Sequence, residues 1–556
     1  MSDFAQIDKV IKANLEKFKK PGALTVRPGY KITSGWITKQ PAIVVTVQKK
    51  LPNVSAEDAV PASVGEYPTD VREATTIEKL RHTAPARHAA LVAMARPEFQ
   101  QPDFPLERDA QTGKLLASPA PPAAVAAHVA KPRVPYKPAK APLTVVDDTM
   151  SITCHASPDA GWLQLSAFLK GIKDQLTVGM YDCTSAHVLD GLLGGLKGKQ
   201  QLSLVLDHPA PNPSRDQTDE DTQAALAKAL GKREQFAWAA EGSDPKVSQA
   251  IFPNAYHIKV AVKDHASFWL SSGNWNNSNQ PDIDPFAPGA NKKTIDATAN
   301  KSDRDWHVIV EHAGLAKTFE AYLLNDRSEA AKLQIKAPTA AMTATAPLLE
   351  ALAESPEAPI RGKAVGRKYF APKSVVNQKI KVQPVLTPDA GAGNYIKNIL
   401  ALIQSAKTSL DIQTQYMHPP NAGVDKDLKA LIDAVQDRVK NKVQVRVILS
   451  EYEATGGWLE KLQAAGLDMS VVRIQTGVHN KAFVVDSTVV ALGSQNWSGD
   501  GVLRNRDASL IIWNTEAAQY FEQIFNYDWD TFAKQKLIHE VSTRAAVTGP
   551  RDVAAD

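Results

Sequence analysis

One spacing is written twice in this chain. His257-Ile258-Lys259 is followed after four residues by Asp264 and, after six more, by Ser271-Ser272-Gly273-Asn274-Trp275. His479-Asn480-Lys481 leads at the same distances to Asp486 and to Gly493-Ser494-Gln495-Asn496-Trp497, and the two histidines stand 222 positions apart. The surrounding blocks repeat as well. Strand-like Ile152-Thr153-Cys154 precedes Pro158-Asp159-Ala160-Gly161 and a helical stretch to Lys173, while Val382–Leu386 precedes Pro388-Asp389-Ala390-Gly391 and a helical stretch to Ala406. Leu202–Leu206 and Val443–Leu449 add a further strand to each block. Such a repeat commits the chain to two copies of one supersecondary unit, and a pseudo-twofold axis between copies sets one motif opposite the other. Strands alternating with helices predict an α/β fold: two similar α/β sandwich halves, each a mixed sheet flanked by helices.

Composition places the boundaries. Residues 101–144 form a Pro/Ala-rich stretch that includes Pro121-Pro122 and lacks a sustained apolar period, which predicts an extended linker. A second Ala/Pro/Thr/Glu segment, 336–364, separates the halves at 145–335 and 365–540, and 541–556 reads as a tail. Residues 1–100 pair a charged amphipathic helix with the β-branched run Ala42–Val47, a small α/β module that carries no recognisable chemistry. Two cysteines, Cys154 and Cys183, exclude a disulfide framework and a cysteine-rich zinc site. No apolar run is long enough to span a bilayer, and the N-terminus lacks the apolar core of a secretory signal. The expected location is therefore the cytoplasm, or the exterior by a route without a cleaved signal.

The motif has a physical logic. Ala255–Val262 and Val478–Val485 are apolar and β-branched, so each motif is expected on a strand, where period two puts His and Lys side by side on one face. Asp264 and Asp486 fall on the opposite parity at the strand end, ahead of second strands at Ser267–Leu270 and Val489–Leu492. They read as structural residues of a hairpin turn. Ser272, Asn274, Ser494 and Asn496 can supply neutral donors. Two imidazoles, two ammonium groups and these donors at one point describe an oxyanion site that needs no metal or cofactor. One imidazole can attack phosphorus, while the other protonates the leaving alcohol and then activates water.

These residues resemble the phospholipase D superfamily, whose mark is His-x-Lys-x4-Asp followed by Gly-Ser-x-x-Asn or a near variant. Block two matches with Gly493-Ser494; block one departs at Ser271, where the family usually has Gly. The resemblance implies a covalent phosphohistidine, metal-free hydrolysis or transfer of phosphodiesters, and a monomer whose halves share one active site. It also implies a downstream acid that orients each catalytic histidine. Asp305, in Asp303-Arg304-Asp305, lies 48 residues past His257, and Asp507, in Asn505-Arg506-Asp507, lies 28 past His479. The difference is an Asn/Asp/Pro-rich insertion between Asn276 and Ser302, expected as a loop at the site's mouth. By analogy with two-motif lipases, His257 is expected to attack and His479 to act as acid. Tyr416 is expected as a core or rim aromatic.

The expected substrate is a phosphodiester, with phospholipid favoured over nucleic acid. A duplicated chain fits the lipase side of the family better than its small single-motif nucleases. Lys+Arg 64 against Asp+Glu 60 leaves only +4, which gives no sign of a groove tracking a phosphate backbone. Members that synthesise cardiolipin carry N-terminal membrane helices, and this sequence shows none. The alternative is a family endonuclease acting on DNA or RNA by the same mechanism.

Overall fold

A computed structural model describes residues 2–51, 54–85, 88, 104–116, 136–207, 216–240, 250–252, 255–333, 367–388, 394–419, 426–451, 453 and 457–535. The expected linker 336–364 and tail 541–556 lie outside these residues, as do Pro121-Pro122 and Asp389–Gly391.

Five strands form an N-terminal sheet: β1 (Ala23–Thr33), β2 (Trp36–Val47), β3 (Ser63–Val64), β4 (Tyr67–Glu73) and β5 (Arg108–Asp109). The last corrects the expected linker. Thr25 pairs with Asp109, and the buried Arg108 guanidinium donates to both carboxylate oxygens of Asp8, so this stretch folds back onto the module.

The first half contributes β6 (Val146–Ser157), β7 (Gln175–Met180), β8 (Gln201–Leu206), β9 (Glu234–Trp238), β10 (Val260–Lys263), β11 (Ser267–Ser271) and β12 (Asp305–Glu311). The second contributes β13 (Lys373–Thr387), β14 (Ser409–Thr414), β15 (Gln444–Ser450), β16 (Val472–Gln475), β17 (Lys481–Val485), β18 (Val489–Gly493) and β19 (Asp507–Trp513). Read outward from the centre, the orders are β6-β12-β11-β10-β7-β8-β9 and β13-β19-β18-β17-β14-β15-β16, the same arrangement twice. The equivalent strands β6 and β13 pair antiparallel, Val146 opposite Val382 and Cys154 opposite Lys373. The two mixed sheets thereby fuse into one of 14 strands.

Helices cover both faces, which is why the strands read as nearly continuous apolar runs. On one face, helices Ala313–Ala330 and Thr515–Thr531 place Phe319, Leu323, Phe521 and Phe525 in a core shared by both halves, against Val260, Val308, Val484 and Leu510. On the other, each half has its own core: Leu165, Leu192 and Leu226 pack over Val178 and Trp269, and Ile399, Leu431 and Leu462 over Ile412 and Phe483. No helix among the described residues is long and apolar enough to cross a membrane.

Buried ion pairs cross between the halves. Arg304 donates to both carboxylate oxygens of Asp528 at 2.9 and 3.1 Å, and Arg506 to Asp326 at 2.7 Å. Each arginine thus takes its acid from the other half's covering helix. All four side chains are at most 1% exposed, so removing one partner would strand a charge in the core. The N-terminal module is tied to the second half in the same way: Glu460 accepts from Arg27 at 2.6 Å and from Arg72, and Ile37 enters the second half's own core.

Candidate active site

The two motifs begin just ahead of their strands. The ladder starts at Val260 in β10 and at Lys481 in β17, so the expected strands at Ala255–Val262 and Val478–Val485 are shorter than their composition suggests. The reason lies across the axis. Arg506 N donates to Ala255 O at 3.0 Å, and His479 N to Arg304 O at 3.1 Å. Single bridges Tyr256–Arg506 and Arg304–Val478 pair the approach to each histidine with the approach to the other half's acid.

That pairing fixes the imidazoles. His257 Nδ1 lies 2.8 Å from Asp507 Oδ1 and 3.1 Å from Ser494 O; His479 Nδ1 lies 2.9 Å from Asp305 Oδ1. Counting along the sequence from each histidine to the acid of its own block therefore pairs them wrongly. Both neighbours of His257 Nδ1 are acceptors, so this nitrogen carries the proton and Nε2 keeps its lone pair. The side chains of His257 and His479 are 11% and 12% exposed, while both carboxylates are fully buried. Lys259 Nζ and Lys481 Nζ donate back to the carbonyls of His257 and His479 at 2.5 and 2.6 Å, which holds each ammonium beside its own imidazole. Tyr181 packs its ring edgewise on His257, with centroids 4.9 Å apart, and lies under Lys259 Nζ.

Electrostatics separates the two sides. Burial holds the His257 imidazole well below its ordinary range, and the Lys259 and Lys481 cations act in the same direction. Burial also pushes Asp507 up to about 7 against the pull of Lys259. Asp305 goes the other way: burial opposes its charge, but His479 and the hydrogen bond to it hold the carboxyl down to about 2. Burial, reinforced by Lys481, brings Lys259 down to about 7.

The remaining sequence candidates fall into two groups. Ser272 and Ser494, expected as donors to phosphate, instead donate to Asp305 Oδ1 at 2.6 Å and Asp507 Oδ1 at 2.5 Å, and each has one hydroxyl proton to give. The buried amide oxygens of Asn274 and Asn496 have no hydrogen-bond partner among the described residues, so both side chains keep polar capacity for a ligand. Asp264 accepts from the backbone N–H of Lys173, Asp174 and Gln175, and Asp486 from those of Lys407, Thr408 and Ser409. Each sits with its successor at positive φ, the signature of a tight hairpin turn. Tyr416 is buried, stacked on His418 at 4.4 Å.

Comparison with known proteins follows this geometry. Residues 399–529 match the family model described as "Cardiolipin synthase, PLD-like domain". Curated relatives include a mouse (Mus musculus) mitochondrial cardiolipin hydrolase, 28% identical over 143 residues, and a Rickettsia bellii phospholipase D, 29% identical over 145 residues. Those alignments take in 25% and 26% of this chain and 61% and 66% of the two relatives. These matches bear out the resemblance to the phospholipase D superfamily over residues 399–529. The chain spans less than two thirds of the length of these curated relatives. Among solved structures, phosphatidylserine synthase of Haemophilus influenzae Rd KW20 is 14% identical, with a TM-score of 0.45, covering 71% of this chain and 93% of that one.

Within this phospholipase D-like frame, sequence reasoning missed the buried arginines. The sequence assigned them no role, yet Arg304 and Arg506 are fully enclosed. A signal was present: Asp326 and Asp528 each stand 21 residues past Asp305 and Asp507. The insertion expected as a loop contains a helix, Lys292–Ala299, started by Asn291 capping Thr294 N. Tyr369 holds it by donating to Asp296 at 2.6 Å.

Proposed function

We propose that this chain is a phosphodiesterase that hydrolyses or transfers the head group of a phospholipid through a phosphohistidine, with no requirement for a metal. The observation that carries the reading is the crossed pair of imidazoles, each holding Nδ1 on a buried carboxylate of the other half while its ring edge reaches solvent. His257, kept neutral by burial, attacks phosphorus through Nε2; an N–P bond forms as the P–O bond to the head-group alcohol breaks. His479, beside the ionised Asp305, gives its proton to that alcohol, then takes one from water or an acceptor alcohol that attacks phosphorus and releases His257. Lys259 and Lys481 neutralise the phosphoryl oxygens, with Asn274 and Asn496 as polar neighbours. Asp507 and Asp305 fix the tautomers, and Ser494 and Ser272 fix the acids. Both motifs serve one site in a monomer. The printed names of the cardiolipin hydrolase and phospholipase D relatives support lipid over nucleic acid.

The test uses the full chain, with chelator present, against vesicles of phosphatidylcholine, phosphatidylethanolamine or cardiolipin and against plasmid and single-stranded DNA. Wild type should release head group, His257→Ala should not, and DNA should stay intact. Nicking without head-group release would replace this reading with the nuclease. Activity lost on chelation would remove the metal-free mechanism.

A further inference from the structure

The first half departs from the second at one buried cluster. Ser271 stands where the second half has Gly493, and His307, two residues past Asp305, stands where the second half has Ser509. The differences are coupled: a Cβ on Gly493 would collide with Ser509 Oγ, whereas in the first half the Ser271 hydroxyl lies 2.6 Å from His307 Nδ1.

Donors and acceptors assign every proton in this cluster. Ser157 Oγ donates to the carbonyl of Asn279, so at 2.9 Å it must accept from His307 Nε2–H. His307 Nδ1 is then an acceptor and takes the Ser271 proton, while Ser271 Oγ accepts from Gly273 N at 2.7 Å. The chain of bonds runs Gly273, Ser271, His307, Ser157, Asn279, and Asn279 Oδ1 closes it by accepting from Asn274 N at 2.9 Å. It grips the turn 271–274 at both ends. That turn carries Ser272, which bonds Asp305, and at Gly273 a Cβ would lie 2.8 Å from the Asp305 carboxylate. His155 stacks on His307 at 5.0 Å from behind, and burial keeps His307 neutral, its pKa down to about 4. In the second half the corresponding turn is held by Ser509 donating to Gln495.

We infer that Ser271 and His307 are a positioning pair, particular to the first half, that presses the turn 271–274 against Asp305 and so sets the orientation of His479. The inference rests on His479 serving as general acid. It explains the departure from the family's glycine: a hydroxyl is needed there to reach His307.

The test transplants the second half's pair, Ser271→Gly with His307→Ser, in the full chain, with Ser271→Ala as a milder variant. Release of an alkyl head group, which needs a protonated leaving oxygen, should fall about 10- to 100-fold. The first burst of nitrophenolate from bis(p-nitrophenyl) phosphate, whose leaving group needs no acid, should stay within about twofold. Equal loss in both assays, or loss in neither, overturns the inference. A wild-type chain inactive on every phosphodiester would sink the proposed function instead. The inference is then decided by a crystal structure of the double variant: the His479–Asp305 hydrogen bond should be displaced, and finding it in place refutes the pair's role.

Discussion

The two halves share a strand order, a motif spacing and a crossed partnership, yet they put their acids in opposite states. Asp305 is held down to about 2 beside His479, whereas Asp507 is pushed up to about 7 beside His257. Burial raises both, so the difference comes from what offsets it: at Asp305, His479, the hydrogen bond to it, His307 and Lys481, and at Asp507, Lys259, Lys481 and the hydrogen bonds of Ser494 and Asn505. A twofold scaffold supplies two equivalent imidazoles, and the packing around each assigns its work. Two titratable groups whose surroundings push them apart are what acid–base chemistry at one phosphorus requires.

That contrast can be broken first at the histidines. His257→Ala and His479→Ala should each cut turnover by about 10³-fold or more. Acid quench of a radiolabelled phosphodiester should then leave label on His257 in the His479 variant and none on the protein in the His257 variant. Label on His479 would exchange the two roles. Next come the crossed arginines: Arg304→Leu and Arg506→Leu should each destabilise the chain by about 3–5 kcal/mol, because the first leaves Asp528 and Asp159, and the second Asp326, buried without a counter-charge. Urea unfolding measures both, and unequal losses would show that one side carries the junction. The smallest effect is in pH. Lys259, brought down to about 7, is charged below that value and neutral above it. KM should therefore climb by up to about tenfold per unit above pH 7. Lys259→Arg should move that limb upward and Lys481→Arg should leave it in place, as read from KM against pH.

Much of this architecture was legible because a duplicated chain prints its supersecondary order twice. The strands at Leu202–Leu206 and Val489–Leu492, and the hairpins at Asp264 and Asp486, follow from apolar periods and turn chemistry that act over a few residues. What was not legible acts between halves. Nothing local to Asp305 says that its imidazole is His479, since that choice is made by backbone bridges formed only when the sheets fuse. Arg304 and Arg506 were passed over for the same reason, their partners across the junction, Asp528 and Asp326, lying 224 and 180 residues away. Ser271 showed only as a departure from the family's usual Gly, because its partner, His307, is on another strand.

The crossing of carboxylates has a consequence for how the molecule comes into being. A chain is made from its N-terminus, and domains tend to fold as they emerge. His257 is synthesised 250 residues before Asp507, so its ring has no acid to hold it until β19 leaves the ribosome. A nascent first half, however well packed, carries an imidazole without its carboxylate, whereas His479 emerges after its own partner, Asp305, has been made.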